Sequence, residues 1–297
     1  MRRFGGILIC TLLLGLIVLP ASWAGVVIGV GVSVHIGPPA LPVYAQPICP
    51  GPGYLWTPGY WAYGDAGYYW VPGTWVLAPA PGLLWTPGYW GWGGGAYMWH
   101  AGYWGPHVGF YGGINYGFGY GGVGFVGGRW NGGVFAYNAA VMNVNTTVIH
   151  NTYVDRTVVN NVTVNRVSFN GGAGGINARP NAQEQAAMQE HHTFATPEQT
   201  QHERLASNNH ALLASVNHGR PAMAATSRPG DFSGHGAMAA HDSAPRPMGN
   251  SHNVPHPPSN EAHAQPTSKH GNGGAPHGNG GGEHHGGGEP HPEHHER

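Results

Sequence analysis

Aromatic and small or polar residues alternate through residues 51–105, and the alternation pauses at Pro-Gly pairs. Tyr54, Trp56, Trp61, Tyr63, Tyr68, Trp70 and Trp75 share one face if each Pro-Gly turns the chain back. Leu83, Trp85, Trp90, Trp92, Tyr97, Trp99 and Trp104 repeat the pattern. A period of two is the mark of strands. The stretch WTPGYW occurs at 56–61 and again at 85–90, and every tryptophan of the first unit maps onto one of the second with a shift of 29 residues. This is a tandem duplication of a two-motif unit. Pro-Gly suits the centre of a type II turn, so Thr57 and Tyr60 are expected to close a turn that sets Trp56 opposite Trp61. Type II turns splay the strands that they join, which predicts short, irregular strands. The fold class expected is mostly β and irregular: a small aromatic-rich antiparallel β repeat module, a short α-helical segment and a long disordered C-terminal tail.

The rest of the chain divides by pattern. Residues 25–50 form an apolar Gly/Val/Pro linker in which VVIGVGVSVHI reads as one extended strand. Residues 106–135 alternate glycine with aromatics and read as a strand layer over the tryptophan face. Residues 136–170 turn to Asn, Val and Thr, with a strand signal at Val158, Val159, Val162, Val164 and Val167. Short helices follow over 176–228. One spans Pro180 to about His192; a second starts at Thr196-Pro197-Glu198-Gln199, a capping box with proline at the first position; a third follows Asn208 and stops at Gly219. Leu205, Leu212, Leu213 and Val216 promise only a small satellite core. Residues 229–297 lack apolar periodicity and read as a disordered His/Gly/Pro-rich tail.

The first 24 residues carry Arg2 and Arg3, an apolar run and Ser22-Trp23-Ala24, the plan of a signal peptide cut after Ala24. The run before Pro20 is short of the roughly 20 residues that cross a bilayer, so the expected product is exported, to periplasm or outer envelope, without a stable transmembrane span. Removing this leader leaves Cys49 alone, which permits no internal disulfide. A net charge of −1 with a single lysine, Lys269, gives no footprint for nucleic acid. Asp65 is the only charged side chain between residues 25 and 128. So uncharged a surface should associate with itself, an envelope protein or an envelope polymer.

Two features carry candidate chemistry. Trp56, Trp61, Trp70, Trp75, Trp85, Trp90, Trp99 and Trp104 are either a ligand-binding aromatic face that stacks on sugar rings or the core of a chain poor in Leu and Ile. His284, His285, His291, His294 and His295, among Glu283, Glu289, Glu293 and Glu296, can supply ligands to Zn, Ni or Cu. The alternative for the tail is a solvating segment that gains charge as the pH falls. His191, His192 and His202 lie near Glu190 and Glu203, but ligands seven apart on a helix, such as Glu184 and His191, do not make a metal site. Metalloprotease, serine-hydrolase and phosphate-loop motifs are absent from the sequence, so no enzyme is expected.

The pattern Tyr54-x-Trp56-x-x-Gly59-x-Trp61, repeated from Tyr68 to Trp75 and from Tyr97 to Trp104, resembles the bacterial YXWGXW (WXXGXW) repeat family. The third copy departs with Leu83 in place of the tyrosine, and the fourth has Ala101 in place of proline. RVSFNGGAGGINARP at 166–180 and the stretch 200–230 also resemble longer members. The resemblance implies an exported bacterial envelope protein and brings no catalytic residues with it. The function expected is structural or adhesive, binding envelope polymer or a partner protein through the tryptophan module. The alternative is a periplasmic metal-buffering protein acting through the tail.

Overall fold

The computed structural model describes residues 33–159, 166–233 and 236–241. The leader, residues 26–32 of the Val/Gly run, Val162, Val164 and the tail histidines from His284 to His295 lie outside the described residues.

Two short strands, β1 (Ser33–Val34) and β2 (Val43–Tyr44), lead into the repeats. β3 (Tyr54–Thr57) pairs with β6 (Gly73–Leu77), and between them β4 (Tyr60–Gly64) pairs with β5 (Gly67–Val71). The register never slips, so the first unit is one long hairpin. Trp56 lies opposite Trp75 and Trp61 opposite Trp70. The second unit repeats this: β7 (Leu84–Thr86) pairs with β10 (Tyr103–Gly105), and β8 (Tyr89–Gly93) with β9 (Ala96–His100). Trp85 thus faces Trp104, and Trp90 faces Trp99.

This corrects the expected Trp56–Trp61 pair. The hairpin turns are at Gly64–Gly67 and Gly93–Ala96, where Gly67 has φ +95° and Gly95 φ +88°. Hairpin turns favour positive φ because it matches strand twist, and Pro-Gly cannot supply it at its first position. The Pro-Gly pairs instead sit halfway along each arm. Proline has no amide for the ladder, so pairing is cut there and the two halves of a hairpin join different sheets.

The Gly-aromatic segment forms only the small pair β11 (Asn115–Gly117) and β12 (Tyr120–Gly121), then β13 (Gly128–Asn131). It covers the second hairpin as a loop layer rather than a strand layer. Tyr116 and Tyr120 donate their hydroxyls to the carbonyls of Gly88 (2.6 Å) and Trp85 (2.8 Å). β14 (Val134–Asn138) pairs with β13 and with β15 (Thr152–Tyr153), and β16 (Phe169–Asn170) lies parallel beside β8. The long strand expected over 136–170 is therefore mostly turn where it is described. Asn138 Oδ1 accepts from the amides of Ala140 and Asp155, and Asn145 Oδ1 from that of Thr147. Such bonds offer the backbone an alternative to the ladder.

α1 (Ala182–Ala187) is shorter than expected and is capped by Asn181 with Glu184. α2 (Pro197–Ser207) begins at the predicted box, with Thr196 and Gln199 in reciprocal bonds. α3 (Ala214–Asn217) ends at His218 with φ 51°, just before Gly219. Leu212 and Leu213 join the main core, whereas Leu205 and Val216 are exposed, so there is no satellite core of these four. β17 (Ala225–Thr226) runs parallel beside β6, and β18 (Ala240–His241) pairs with β2. Order therefore continues past Pro229. Phe232 packs on His202 with centroids 5.1 Å apart, and Met238 exchanges backbone bonds with Ala225.

Candidate functional site: the cleft where the motif corners meet

Each glycine of a motif touches the first tryptophan of its partner motif. A Cβ on Gly59 would lie 2.3 Å from Trp70 Cζ2, and one on Gly73 2.6 Å from Trp56 Cζ2. In the second hairpin Gly88 meets Trp99 and Gly102 meets Trp85, each at 2.5 Å. The facing indoles pack edge to face or tilted, with centroids 5.3 Å apart for Trp56–Trp75, 5.2 Å for Trp61–Trp70, 5.3 Å for Trp85–Trp104 and 5.4 Å for Trp90–Trp99. Such pairs add to the burial of area alone.

The four corners converge on one cleft of about 90 Å³. Pro58, Pro72, Pro87 and Ala101 each line it, one from every motif. Its aromatic walls are Tyr60, Trp85, Trp99 and Tyr116, and α2 contributes Gln199, His202 and Glu203. Tyr60 of the first hairpin stacks on Trp99 of the second, with centroids 5.0 Å apart and planes 18° from parallel, and both rings are half-buried. A direct bond also joins the units: Trp90 Nε1 donates to the carbonyl of Trp61, its own counterpart in the first repeat, at 2.7 Å.

The polar groups of the cleft have distinct states. Glu203 pairs with the Tyr60 hydroxyl; burial raises its carboxyl above the usual range, and the Tyr60 bond partly offsets this. Burial also pushes the Tyr60 hydroxyl up, and the Glu203 charge adds to the rise. His202 Nε2 lies 2.8 Å from the Pro72 carbonyl, and Nδ1 accepts from the Gly230 amide at 2.9 Å. These partners assign the proton to Nε2 of a neutral ring. Burial lowers its pKa to about 4, with the Pro72 carbonyl acting the other way. Gln199 Oε1 accepts from Trp104 Nε1 and from the Thr196 amide, both at 2.8 Å. The cap of α2 thus also holds the last repeat tryptophan.

Seven of the eight repeat tryptophans are buried: Trp56, Trp70, Trp75 and Trp104 have no exposed surface, Trp61 and Trp90 have at most 2%, and Trp85 has 8%. Their rings form the core, which corrects their placement as an open aromatic face. With charged side chains so few and Leu so scarce, indoles are the largest apolar surface available to bury. Trp99 alone of the eight is half-buried, at the cleft. The histidines near the helices do not converge on a metal: His202 faces Pro72 and Gly230, His192 stacks on Tyr103 (3.7 Å between centroids), and Glu190 meets His107 at 2.7 Å. No group of three metal-ligating side chains occurs among the described residues. Cys49 is buried, donates to the Gly51 carbonyl at 3.2 Å and has its thiol pushed up to about 11 by burial.

The boundaries of the two hairpins coincide with the matches of a family model. The WXXGXW repeat model matches residues 51–76 and 81–104. The chain carries two WXXGXW repeats. One WXXGXW repeat is therefore one hairpin, with a W-x-x-G-x-W motif on each arm. No curated protein and no solved structure gives a significant match.

No local pattern marks Tyr60 and Glu203 as parts of one site, or Tyr44 as a support of the first corner. Tyr44 reaches the Gly59 amide at 3.3 Å, and Glu203 sits more than a hundred residues from Tyr60. The only signal available was the capping box, which fixed where α2 starts and hence which α2 residues follow Gln199.

Proposed function

We propose that the chain is an exported cell-envelope protein with a structural or adhesive role, holding envelope polymer or a partner protein through its WXXGXW module. The observation that carries this reading is the cleft. The repeats close most of their tryptophan surface into a core, yet all four corners leave an opening at which the Tyr60 and Trp99 rings stay half-buried. Export is supported by the leader with Arg2, Arg3 and Ser22-Trp23-Ala24. Among the described residues no helix is long and apolar enough to cross a membrane. Exposed aromatic and apolar side chains at the hairpin tips, Tyr63, Trp92 and Met98, add surface for association. The test is cell fractionation with mass spectrometry of the mature N-terminus, followed by co-sedimentation of the purified protein with isolated envelope and sacculi. A mature chain beginning at Gly25 that sediments with envelope is the expected result. A cytoplasmic chain that keeps its leader, or one that stays in the supernatant, contradicts it.

A second reading, metal buffering by the tail, is favoured by the density of histidine between His284 and His295. Zinc titration of the full chain against one ending at His241 tests it: capacity lost with the tail supports this reading.

A further inference from the structure

The cleft holds a carboxyl group without a cationic partner. Glu203 is half-buried, faces Tyr60, and has neither lysine nor arginine among the residues that line the cleft around it. The basic side chain beside it on α2 that faces inward, His202, has both ring nitrogens engaged by Pro72 and Gly230. His202 therefore stays neutral and cannot balance a carboxylate at neutral pH. The next residue, Arg204, points away and bonds to Gln201 at the surface.

The walls around this carboxyl are aromatic. Tyr60, Trp85, Trp99 and Tyr116 supply apolar ring surface against which an alkyl stem can pack. Size then decides the class of ligand. About 90 Å³ is well below the roughly 300 Å³ at which pockets begin to enclose a whole small molecule. The opening admits one protruding group, not a sugar ring or a drug-sized ligand.

The geometry points to a binding site for a single alkylammonium group, presented on a stem by the envelope partner, with Glu203 as its counter-ion and the Tyr60–Trp99 stack as its aromatic wall. This rests on the reading of the WXXGXW module as the partner-binding element. The stem that the narrow opening demands is that of a lysine-type side chain in a peptide or protein; the amine of an amino sugar sits directly on its ring and does not reach in. The ionised carboxylate is the binding form, so binding weakens as the pH falls through the raised Glu203 value. Tyr60 and Tyr69 lie close enough to feel the Glu203 charge, and His202 and Tyr116 line the same cleft. The tyrosines stay protonated, since burial raises the hydroxyls of Tyr60, Tyr69 and Tyr116. Below about pH 4 His202 also takes up a proton and adds repulsion.

The experiment uses the purified full-length protein and Nα-acetyl-lysine amide, with its Nε-acetylated form as the neutral match, followed by NMR or calorimetry. Binding by the first and not the second is expected, with a loss of about tenfold or more in Glu203→Gln, as for removal of one member of a close charge pair. Trp99→Phe keeps a ring in the wall and lowers affinity less. Equal binding of the acetylated form, unchanged affinity in Glu203→Gln, or no binding at all overturns the inference. Near-UV circular dichroism confirms that each variant is folded. A lysine-bearing peptide should bind and a glucosamine oligomer at equal amine concentration should not; equal binding of the oligomer overturns the stem-presented site. Envelope co-sedimentation of Glu203→Gln separates the two levels. Envelope retention by the wild type without amine binding overturns the ammonium site and leaves the module's role. Amine binding without envelope retention does the reverse.

Discussion

Gly59 and Gly73 face each other across the first hairpin so closely that a Cβ on Gly59 would lie 2.8 Å from the Gly73 nitrogen, and one on Gly73 2.9 Å from the Gly59 nitrogen. The same amides are drawn off the ladder, Gly59 to the Tyr44 hydroxyl at 3.3 Å and Gly73 to the Ala224 carbonyl at 3.1 Å. The glycine of the motif is thus a place where two backbones and an indole meet without room for a side chain. The first tryptophan of each motif lids the glycine of its partner.

Gly59→Ala should therefore destabilise the protein by about 3 kcal/mol, at the upper end of overpacking costs, because the atoms it meets are backbone and a packed indole. Gly121→Ala is the control: a Cβ there has open space around it, so its effect should stay within about 0.5 kcal/mol. Urea denaturation compares them. Equal midpoints for the two variants would falsify the close-approach account.

Trp56 and Trp75 are equally buried and pack on each other, but they differ in their polar atoms. Trp75 Nε1 donates to the Pro47 carbonyl at 2.9 Å, whereas Trp56 Nε1 has no partner. Trp75→Phe should cost about 1 kcal/mol more than Trp56→Phe, the net worth of one hydrogen bond. A larger loss in Trp56→Phe in the same denaturation assay contradicts this.

Tryptophan emission of the native protein should be blue-shifted, since seven of the repeat rings are withdrawn from water. Iodide should quench only a minor part of it, from rings such as Trp92, which is 42% exposed. Emission that is red-shifted and fully quenchable in the folded chain would put the indoles outside.

His202 makes stability depend on acid. Its folded value, about 4, lies below the usual 6.5, so the unfolded chain takes up the proton first. Stability from this group is complete above about pH 6.5 and falls as the pH drops towards about 4. The full effect is about 3 kcal/mol at about 1.4 kcal/mol per pH unit. Glu203 acts with the opposite sign: its raised value favours the folded state at low pH and this is lost as the pH rises through it. Thermal melts of His202→Gln on a Glu203→Gln background isolate the histidine's contribution and should show a flatter acid limb than Glu203→Gln alone. An unchanged slope would mean that the ring is not held neutral.

A chain ending at His241 keeps every hydrogen bond described above and should melt like the full chain. One ending at His218 loses the Ala224 carbonyl, which accepts from both Trp70 Nε1 (2.9 Å) and Gly73 N (3.1 Å), together with the β17 edge. It should lose roughly 3 kcal/mol, given about 1 kcal/mol for each bond and more for the uncovered indole. Differential scanning calorimetry of the three lengths decides it.

Much of the local structure was legible in the sequence. The period of two, the 29-residue duplication and the Thr196–Gln199 box each depend on neighbours in the chain, and each appears in the fold at its expected place. Pairing was not legible. The sequence admits Trp56 against Trp61 or against Trp75, and only the positive φ available at Gly67 and Gly95 selects the longer hairpin. Whether an indole faces water was equally open, because it depends on which segments cover it. Tyr44, Gln199 and Ala224 reach the repeats from 15, 95 and 154 residues away. The cleft is a product of the same long-range packing: it exists because four corners and one helix converge, and no local pattern of residues encodes that convergence.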